Sequence, residues 1–153
     1  MSLGVPLGQL ELAAFLPYRL AVLSAEVSRA LGRRYDARFG VTIPEWRCLA
    51  VLGRKGDLMV SELASRASLD KVKACRALAR LRQRGLVARA VDGHDRRAVR
   101  MSLTPAGWAL YGELAAVALD WERQLTDALG LSDRRALDRV LHKLSDALGR
   151  MER

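Results

Sequence analysis

Residues 91–107, VDGHDRRAVRMSLTPAG, combine side chains that can bind anions with the outline of a turn. Three arginines and two aspartates fall within residues 91–100. A guanidinium group donates paired hydrogen bonds to a phosphate or a carboxylate, and a neighbouring carboxylate can orient it. Charge of this density also occurs on loops that are merely solvated, so the rest of the chain has to distinguish the two interpretations.

The net charge of the chain is concentrated around this stretch. The formal net charge is +9, and ten of the 26 Lys and Arg residues lie in residues 71–100 together with only two Asp residues. A chain kept soluble by its charge does not need such clustering, whereas a surface that binds a polyanion does. The distribution therefore favours a nucleic acid as partner over a basic helix that is only solvated.

Residue types that could support catalysis or metal binding are sparse. The two histidines, His94 and His142, lie in different predicted elements, and Cys48 and Cys75 follow neither a metal-ligand nor a disulfide spacing. The sequence has no glycine-rich phosphate loop and no nucleophile–base pair that spacing suggests. We therefore expect no enzyme activity, no metal and no cofactor.

Two helices precede the charged turn. VSELASRASL predicts a short helix, and DKVKACRALARLRQRG predicts a longer one that is capped by Asp70 and stops at Gly85. The longer helix separates its apolar and basic residues, with Ala74, Leu78 and Leu81 on one face and Lys73, Arg76 and Arg80 elsewhere. Two short helices joined by a tight bend, the second basic on its exposed side, are typical of a helix-turn-helix.

A β-hairpin is predicted next. LVARAV and AVRMSL alternate in polarity and are joined by the turn DGHDRR. One side of the second strand is apolar, with Val99, Met101 and Leu103. Thr104 and Pro105 then begin a helix that extends to about Ala128.

Apolar helices flank this module. The first runs from about Gln9 to Phe39 and stops at Gly40, and its stripe comprises Leu16, Leu20, Leu23, Val27 and Leu31. A second, short helix opens at TIPE, where Thr42 and Glu45 fit a capping box. The last helix starts at Ser132, and its stripe comprises Leu137, Val140 or Leu141, Leu144 and Leu148. Such apolar helices must pack within one chain or across a two-fold axis, and their length favours a homodimer.

The order of these elements resembles the MarR family of winged helix-turn-helix regulators over almost the whole chain. GLVARAVDGHDRRAVRMSLTPAG is similar to the family's wing, with a Gly-Leu-Val strand entry, an Asp-Arg-Arg turn and a Leu-Thr-x-x-Gly junction at Leu103, Thr104 and Gly107. PEWRCLAVL and SELASRASLDKVKACRALARLRQRG are similar to its second, third and fourth helices. The resemblance implies a mainly α fold with a small β-hairpin wing (α+β).

The resemblance also implies the domain organisation and the function. Residues 1–153 would form a single unit, with dimerisation helices in 1–40 and 105–153 and the winged helix-turn-helix module in 41–104. The implied protein is a homodimeric transcriptional regulator, expected to be a repressor, that binds a palindromic operator in double-stranded DNA. With no secretory signal and no run of about 18 apolar residues, we expect a cytoplasmic protein without a membrane partner.

The implied reader of the DNA is the fourth helix, because an α-helix fits the major groove, where base edges can be distinguished. Its first two turns contain the expected contacts, Asp70, Lys71, Lys73 and Arg76. Arg76 could contact guanine, with a phosphate contact or a salt bridge to Asp70 as the alternative. Further along the helix, phosphate contacts or solvated groups are expected at Arg80, Arg82 and Arg84.

At the wing, the resemblance implies that Arg97 inserts into the minor groove. Asp95 lies two residues before Arg97 and is expected to pair with its guanidinium group and hold it extended. Arg96 is expected to contact a phosphate. The alternative is an ordinary salt bridge within the turn.

The family commonly releases DNA when a small aromatic or phenolic ligand binds between the dimerisation helices and the winged module. The residues that would suit such a ligand are Arg19, Trp46, Trp108 and Tyr111. An arginine beside aromatic walls suits an aromatic carboxylate, although a core position is the commoner role for each Trp taken alone.

Two alternatives remain open from the sequence. A redox-sensing regulator of the same fold would need a reactive thiolate. Cys48 falls in an apolar helix, and Cys75 lies in the predicted recognition helix beside Lys73 and Arg76. A protein-interaction module that binds no DNA is the second alternative, and the basic helix followed by the wing argues against it.

Overall fold

The structure is a computed structural model that describes residues 10–153. After a short 3₁₀ turn at Leu12–Ala14, the chain forms α1 (Leu16–Phe39), α2 (Ile43–Lys55), β1 (Leu58–Met59), α3 (Val60–Arg66), α4 (Lys71–Gln83), β2 (Val87–Val91), β3 (Val99–Leu103), α5 (Pro105–Thr126) and α6 (Leu131–Met151). The predicted fold class, mainly α with a small β-hairpin, is confirmed.

The first helix begins later than the sequence pattern predicted. Gln9, the predicted start, lies outside the described residues, and α1 begins at Leu16 after an extended Phe15. Pro17 lies in its first turn, where the missing N–H costs no helical hydrogen bond. The predicted stop is confirmed, since Gly40 ends α1 in the left-handed conformation with φ of 60°.

The predicted caps of the later helices are also confirmed. At α2, the Thr42 hydroxyl accepts from the Glu45 N–H at 3.3 Å, and the Glu45 carboxylate accepts from the Thr42 N–H at 3.1 Å. At α4, the Asp70 carboxylate accepts from the Lys73 N–H at 2.8 Å. These side chains satisfy N–H groups that have no partner within the helix.

The sheet has three antiparallel strands in the order β1-β3-β2. β2 and β3 form the predicted hairpin, with Val87 opposite Leu103 and Val91 opposite Val99. β1, which the sequence analysis missed, pairs Leu58 with Met101 on the other side of β3. A strand of two residues is too short to show an alternating pattern in the sequence, so only its pairing with β3 in the structure identifies it.

One hydroxyl group joins the end of α4, the hairpin and the start of α5. The Thr104 hydroxyl donates to the Gly85 carbonyl at 2.7 Å and accepts from the Gly107 N–H at 3.1 Å. The Thr104 N–H donates to the Leu86 carbonyl at 3.1 Å. Gly107 is buried here, and a Cβ on it would overlap that same carbonyl oxygen.

The core that supports these elements lies among α2, α3, α4 and the sheet. Its most deeply buried side chains include Leu49, Leu52, Leu63, Leu81 and Met101. Because each of these elements buries one face in this core, the opposite face of α4 is left for solvent.

The chain divides into two compact units, of which one ends at Leu114 and the other comprises Ala115–Arg153. In the second unit, the Arg134 guanidinium donates to the Thr126 carbonyl at 2.8 Å and to the Leu129 carbonyl at 3.2 Å, which fixes the turn before α6. None of the helices in residues 10–153 has the length and apolarity to cross a membrane.

Candidate nucleic-acid interface

The exposed side of α4 is basic. Ala74, Ala77, Leu78 and Leu81 are buried, whereas the predicted contact residues Lys71, Lys73, Arg76 and Arg80 are all exposed. A hollow flanks the helix on each side. The first, of about 560 Å³, lies against the start of α2, and the second, of about 450 Å³, lies against the sheet. The basic side of α4, formed by these four residues, is therefore accessible from both hollows.

Asp70 has a structural role at the start of α4. One carboxylate oxygen caps α4 through the Lys73 N–H, and the other lies 3.7 Å from the Lys73 ammonium nitrogen. The carboxylate contacts Lys73 and not Arg76, which was its predicted partner in the alternative interpretation. Asp70 therefore fixes the first turn that carries Lys71 and Lys73.

Arg80 is held against α2. Its guanidinium lies 3.7 Å from the carboxylate of Glu45, which is only 3% exposed, while the Arg80 side chain remains 69% exposed. The same Glu45 carboxylate completes the capping box of α2. Arg80 thus compensates a buried charge as well as facing solvent, a contact that the sequence analysis did not anticipate.

The second hollow runs between α4 and the hairpin. Lys71, Cys75 and Arg82 line it from α4, and Arg89 lines it from β2. Its floor is apolar, with Leu78, Val99 and Met101. Arg89 belongs to the basic cluster of residues 71–100, but the sequence alone predicts no contact for it. Its position opposite α4 depends on how the hairpin folds back.

The turn of the hairpin is closed by two aspartates that accept from backbone N–H groups. Asp92 accepts from the His94 N–H, and Asp95 accepts from the Arg97 N–H, each at 2.9 Å. The Ala98 N–H donates to the Asp95 carbonyl at 3.0 Å. Short Asp side chains commonly reach the backbone two residues ahead in this way.

This geometry differs from the expected pairing of Asp95 with the Arg97 guanidinium. The Asp95 carboxylate contacts the backbone of Arg97, and the side chains of Arg96 and Arg97 are exposed. The i, i+2 spacing is compatible with either arrangement, and the backbone conformation of the turn decides between them. Asp95 therefore shapes the turn that presents Arg97.

The sequence did not predict an ion pair that lies next to the turn of the hairpin. The Arg100 guanidinium lies 3.5 Å from the Asp92 carboxylate and donates to the Asp57 carbonyl at 3.4 Å. The hydrogen bond from the His94 N–H, followed by the bond and charge of Arg100, lowers the pKa of Asp92 below its usual value. Arg100 thereby ties the hairpin to the residue that precedes β1.

Three of the four predicted ligand residues lie together. The Trp46 and Tyr111 rings are stacked with centroids 6.4 Å apart, and Trp108 meets Tyr111 edge-on at 6.0 Å. Arg19 is exposed near the start of α1, and within residues 10–153 no hydrogen bond or cation–π contact joins it to these rings. The aromatic wall is thus assembled without its predicted arginine.

Tyr35 belongs to this aromatic cluster although the sequence analysis did not single it out. Its ring lies 5.2 Å from that of Trp46, and its side chain is fully buried. Its hydroxyl has no hydrogen-bond partner among the described residues, and burial raises its pKa to about 12. Tyr35 lies four residues after Leu31, the last residue of the apolar stripe on α1. That spacing predicts a buried ring but not an unpaired hydroxyl group.

The two cysteines differ in environment. Cys48 is buried, and burial together with the nearby Glu45 raises its pKa to about 12, which disfavours the reactive thiolate. Cys75 is exposed on α4. Within residues 10–153, no three His, Cys, Asp or Glu side chains are grouped so as to hold a metal ion.

Comparison with known proteins agrees with this geometry. The MarR family model matches residues 39–98. The HTH-type transcriptional repressor Rv2887 of Mycobacterium tuberculosis is 34% identical over 131 residues, which cover 85% of this chain and 91% of that protein.

Solved structures extend the similarity. The MarR family transcriptional regulator SPO1453 of Silicibacter pomeroyi is 33% identical, with a TM-score of 0.79 over 92% of this chain and 99% of that one. BpsR of Bordetella bronchiseptica, at 24% identity, shares the fold with a TM-score of 0.76 over 86% of this chain and 99% of that one. The chain thus belongs to the MarR family, and it is a DNA-binding transcriptional regulator and not an enzyme.

Proposed function

We propose that the protein is a homodimeric repressor that binds a palindromic operator through α4 and the hairpin. The observation that carries this proposal is the groove between them, in which Lys71 and Arg82 of α4 face Arg89 of β2. A repressor that acts on chromosomal DNA works in the cytoplasm, which is where we place this one. The Mycobacterium tuberculosis relative is a transcriptional repressor, which supports repression rather than activation as the function proposed here.

In this proposal α4 lies in the major groove. Lys71, Lys73 and Arg76 are exposed in its first two turns, and Asp70 fixes those turns by capping the helix. Arg76 is our candidate for a bidentate contact to guanine, which contributes about 1–3 kcal/mol of discrimination against other bases. Arg80 contacts a phosphate while it remains beside Glu45.

The hairpin is the wing in this proposal. Arg97 enters the minor groove, where negative potential is greatest when the groove is narrow, and Arg96 contacts a phosphate. Asp92 and Asp95 hold the turn closed through backbone hydrogen bonds before any DNA is bound. A turn that is already ordered loses less conformational entropy on binding.

A phosphate strand would cross the groove between α4 and the wing. Lys71, Arg82 and Arg89 line this groove without an acidic neighbour in its lining. Neutralising a row of phosphates releases counterions, so binding should weaken steeply with salt.

We assign dimerisation to residues 1–40 and 105–153. Apolar side chains are exposed on α1, with Leu16 at 47% and Leu23 at 57%, and on α6, with Leu141 at 50% and Leu148 at 59%. Exposed apolar stripes of this extent are typical of surfaces that pack against a partner. The proposed partner is a second copy of the chain.

We further propose that a small aromatic acid releases the DNA. DNA binding by BpsR of Bordetella bronchiseptica, which shares this fold, is regulated by 6-hydroxynicotinic acid. Here the proposed walls are Trp46, Trp108 and Tyr111, and the buried Tyr35 hydroxyl is a donor in need of an acceptor. Arg19 remains a candidate for the carboxylate only if α1 changes position on binding.

Selection of bound sequences from random DNA tests the central proposal. We expect an inverted repeat whose half-sites are about one helical turn apart. Fluorescence anisotropy on that operator should then show at least tenfold weaker binding for Arg97→Ala, with the charge-matched Arg139→Ala unchanged. Recovery of no preferred sequence, or full affinity of Arg97→Ala at physiological salt, would contradict this part of the proposal.

A redox-sensing regulator is the second candidate, and it depends on the exposure of Cys75 in the DNA-facing groove. Peroxide treatment should then abolish operator binding by the wild type but not by Cys75→Ser. Equal binding by treated and untreated wild type would exclude this candidate.

A further inference from the structure

Arg84 connects the end of α4 to the end of α1. Its guanidinium donates from Nη1 to the Gly40 carbonyl at 3.1 Å and from Nη2 to the Phe39 carbonyl at 3.0 Å. The residues that it joins are 44 and 45 positions away in the chain. From its sequence position, Arg84 is expected to be a phosphate contact or a solvated group, and these bonds give it a different role.

The chemistry of the two helix ends favours this bond. The last carbonyls of a helix lack intrahelical partners and carry the negative end of its dipole. Gly40 ends α1 in the left-handed conformation, and Arg84 places a delocalised cation with two donors on the carbonyls there. The guanidinium thus acts as a C-terminal cap supplied by another helix.

The backbone of Arg84 is itself held firmly. Arg84 caps α4, Gly85 follows with φ of 72°, and the Leu86 N–H returns to the Leu81 carbonyl at 2.9 Å. The Gly85 carbonyl accepts from the Thr104 hydroxyl. The contact therefore joins two stretches of backbone that are each held by hydrogen bonds of their own.

We infer that Arg84 is a positioning residue that sets the direction of the recognition helix α4 relative to α1. The inference rests on the proposed function, in which α1 contributes to the dimer and α4 reads the operator. In a dimer, the direction of α4 relative to α1 determines the separation of the two recognition helices. Arg84 therefore controls which spacing of half-sites the protein accepts.

The experiment compares Arg84→Ala and Arg84→Lys with the wild type on a set of operators. The operators carry the selected half-sites with the native spacing and with one base pair added or removed. The control is Gln83→Ala, because Gln83 is exposed in the same turn of α4. Each protein is measured by fluorescence anisotropy at several salt concentrations and by sedimentation for its oligomeric state.

We expect Arg84→Ala to bind the native spacing about tenfold more weakly, the size of a typical coupling between two sites. Its affinity for the altered spacings should change less than about twofold, because those complexes do not use the native helix separation. Arg84→Lys should give a smaller loss at the native spacing, since one ammonium group reaches one carbonyl at a time. Gln83→Ala should match the wild type, and all variants should remain dimers.

The inference is overturned by an equal loss at all spacings, which would indicate general destabilisation, or by no loss at all. It is also overturned if the slope of log K against log salt falls by about one, which would mark Arg84 as a phosphate contact. Failure of the proposed function gives a different result, namely a wild type that selects no sequence or sediments as a monomer.

Discussion

At the scale of single residues, the carboxylates around α4 and the hairpin each accept a backbone hydrogen bond, and three of the four also lie beside an exposed cation. Asp70, Asp92 and Asp95 each accept a hydrogen bond from a backbone N–H two or three residues ahead. Glu45 does the same in reverse, accepting from the Thr42 N–H while it lies beside Arg80. These carboxylates thus order the backbone around the basic surface and also pair with some of its cations.

The role of Asp95 can be separated from simple charge pairing. Asp95→Asn keeps the acceptor oxygen for the Arg97 N–H but removes the charge, whereas Asp95→Ala removes both. We expect Asp95→Asn to bind operator DNA within about twofold of the wild type, and Asp95→Ala about fivefold more weakly, because a hydrogen bond contributes about 1 kcal/mol. Anisotropy titrations at one salt concentration measure this. Equal losses of affinity in both variants would instead support an ion pair between Asp95 and the Arg97 guanidinium.

At the scale of elements, the junction between β3 and α5 is closely packed against the end of α4. Gly107 places the first turn of α5 directly against the Leu86 carbonyl. In the same helix, Gly112 faces open space, so a methyl group there meets nothing within 4 Å. The two glycines therefore offer a matched pair of substitutions in one helix.

Gly107→Ala should lower the free energy of unfolding by about 1–3 kcal/mol, because the added methyl group overlaps a backbone carbonyl that cannot move aside. Gly112→Ala should instead raise it by up to about 1 kcal/mol through its higher helix propensity. Urea unfolding at fixed protein concentration measures both. A destabilisation of the same size in the two variants would mean that the close approach at Gly107 is not the cause.

His142 introduces a pH dependence in α6. The bond to the Asp138 carbonyl, followed by the charges of the Asp138 and Asp146 carboxylates, raises the pKa of His142 above 6.5. Because the pKa of His142 is higher in the folded than in the unfolded protein, its protonated form stabilises the fold. This stabilisation is complete when the pH is below the pKa of the unfolded state, and it is lost as the pH rises through the pKa of the folded state. Between about pH 6 and pH 8, the Tm of the wild type should therefore fall relative to that of His142→Gln. Parallel Tm curves for the two proteins would contradict this prediction.

The sequence predicted those features of the structure that depend on residues close together in the chain, and it missed those that depend on distant residues. Caps at Thr42 and Asp70 and the stop at Gly40 are local, so residue types within four positions were sufficient to place them. The contacts of Arg84 and Arg100 with backbone carbonyls join positions more than 40 residues apart, and no local pattern marks them. The late start of α1 was missed because its apolar periodicity continues across the irregular residues that precede Leu16.

At the scale of the whole molecule, the apolar stripes of α1 and α6 support the assembly that we propose, and the basic face of α4 supports the proposed DNA contact. The stripe of α6 is exposed at Leu137, Val140, Leu141 and Leu148. The predictions for the assembled protein therefore concern dimerisation and its effect on operator affinity.

Leu141→Glu should shift the protein toward the monomer, because it places a charge on an apolar surface that a partner would cover. Affinity for the palindrome should fall about 100-fold or more, since two linked half-sites gain that much from avidity. Binding to an isolated half-site should persist. Arg139→Glu, on the other side of α6, serves as the control in sedimentation and in anisotropy. A dimeric Leu141→Glu protein would move the proposed interface away from α6.

The hydrogen bonds of Thr104 with Gly85 and Leu86, here called the clamp, close residues 85–104 into a loop. The two ends of this loop are joined by the bond from the Thr104 hydroxyl to the Gly85 carbonyl, and the Thr104 N–H reaches the carbonyl of Leu86 beside it. Arg100 also joins the hairpin to the Asp57 carbonyl, and Met101 packs in the core, whereas the turn residues 93–97 are all exposed. The turn at the tip is in this sense the exchangeable part of the hairpin, because its length and composition can diversify while β2, β3 and α4 stay in place.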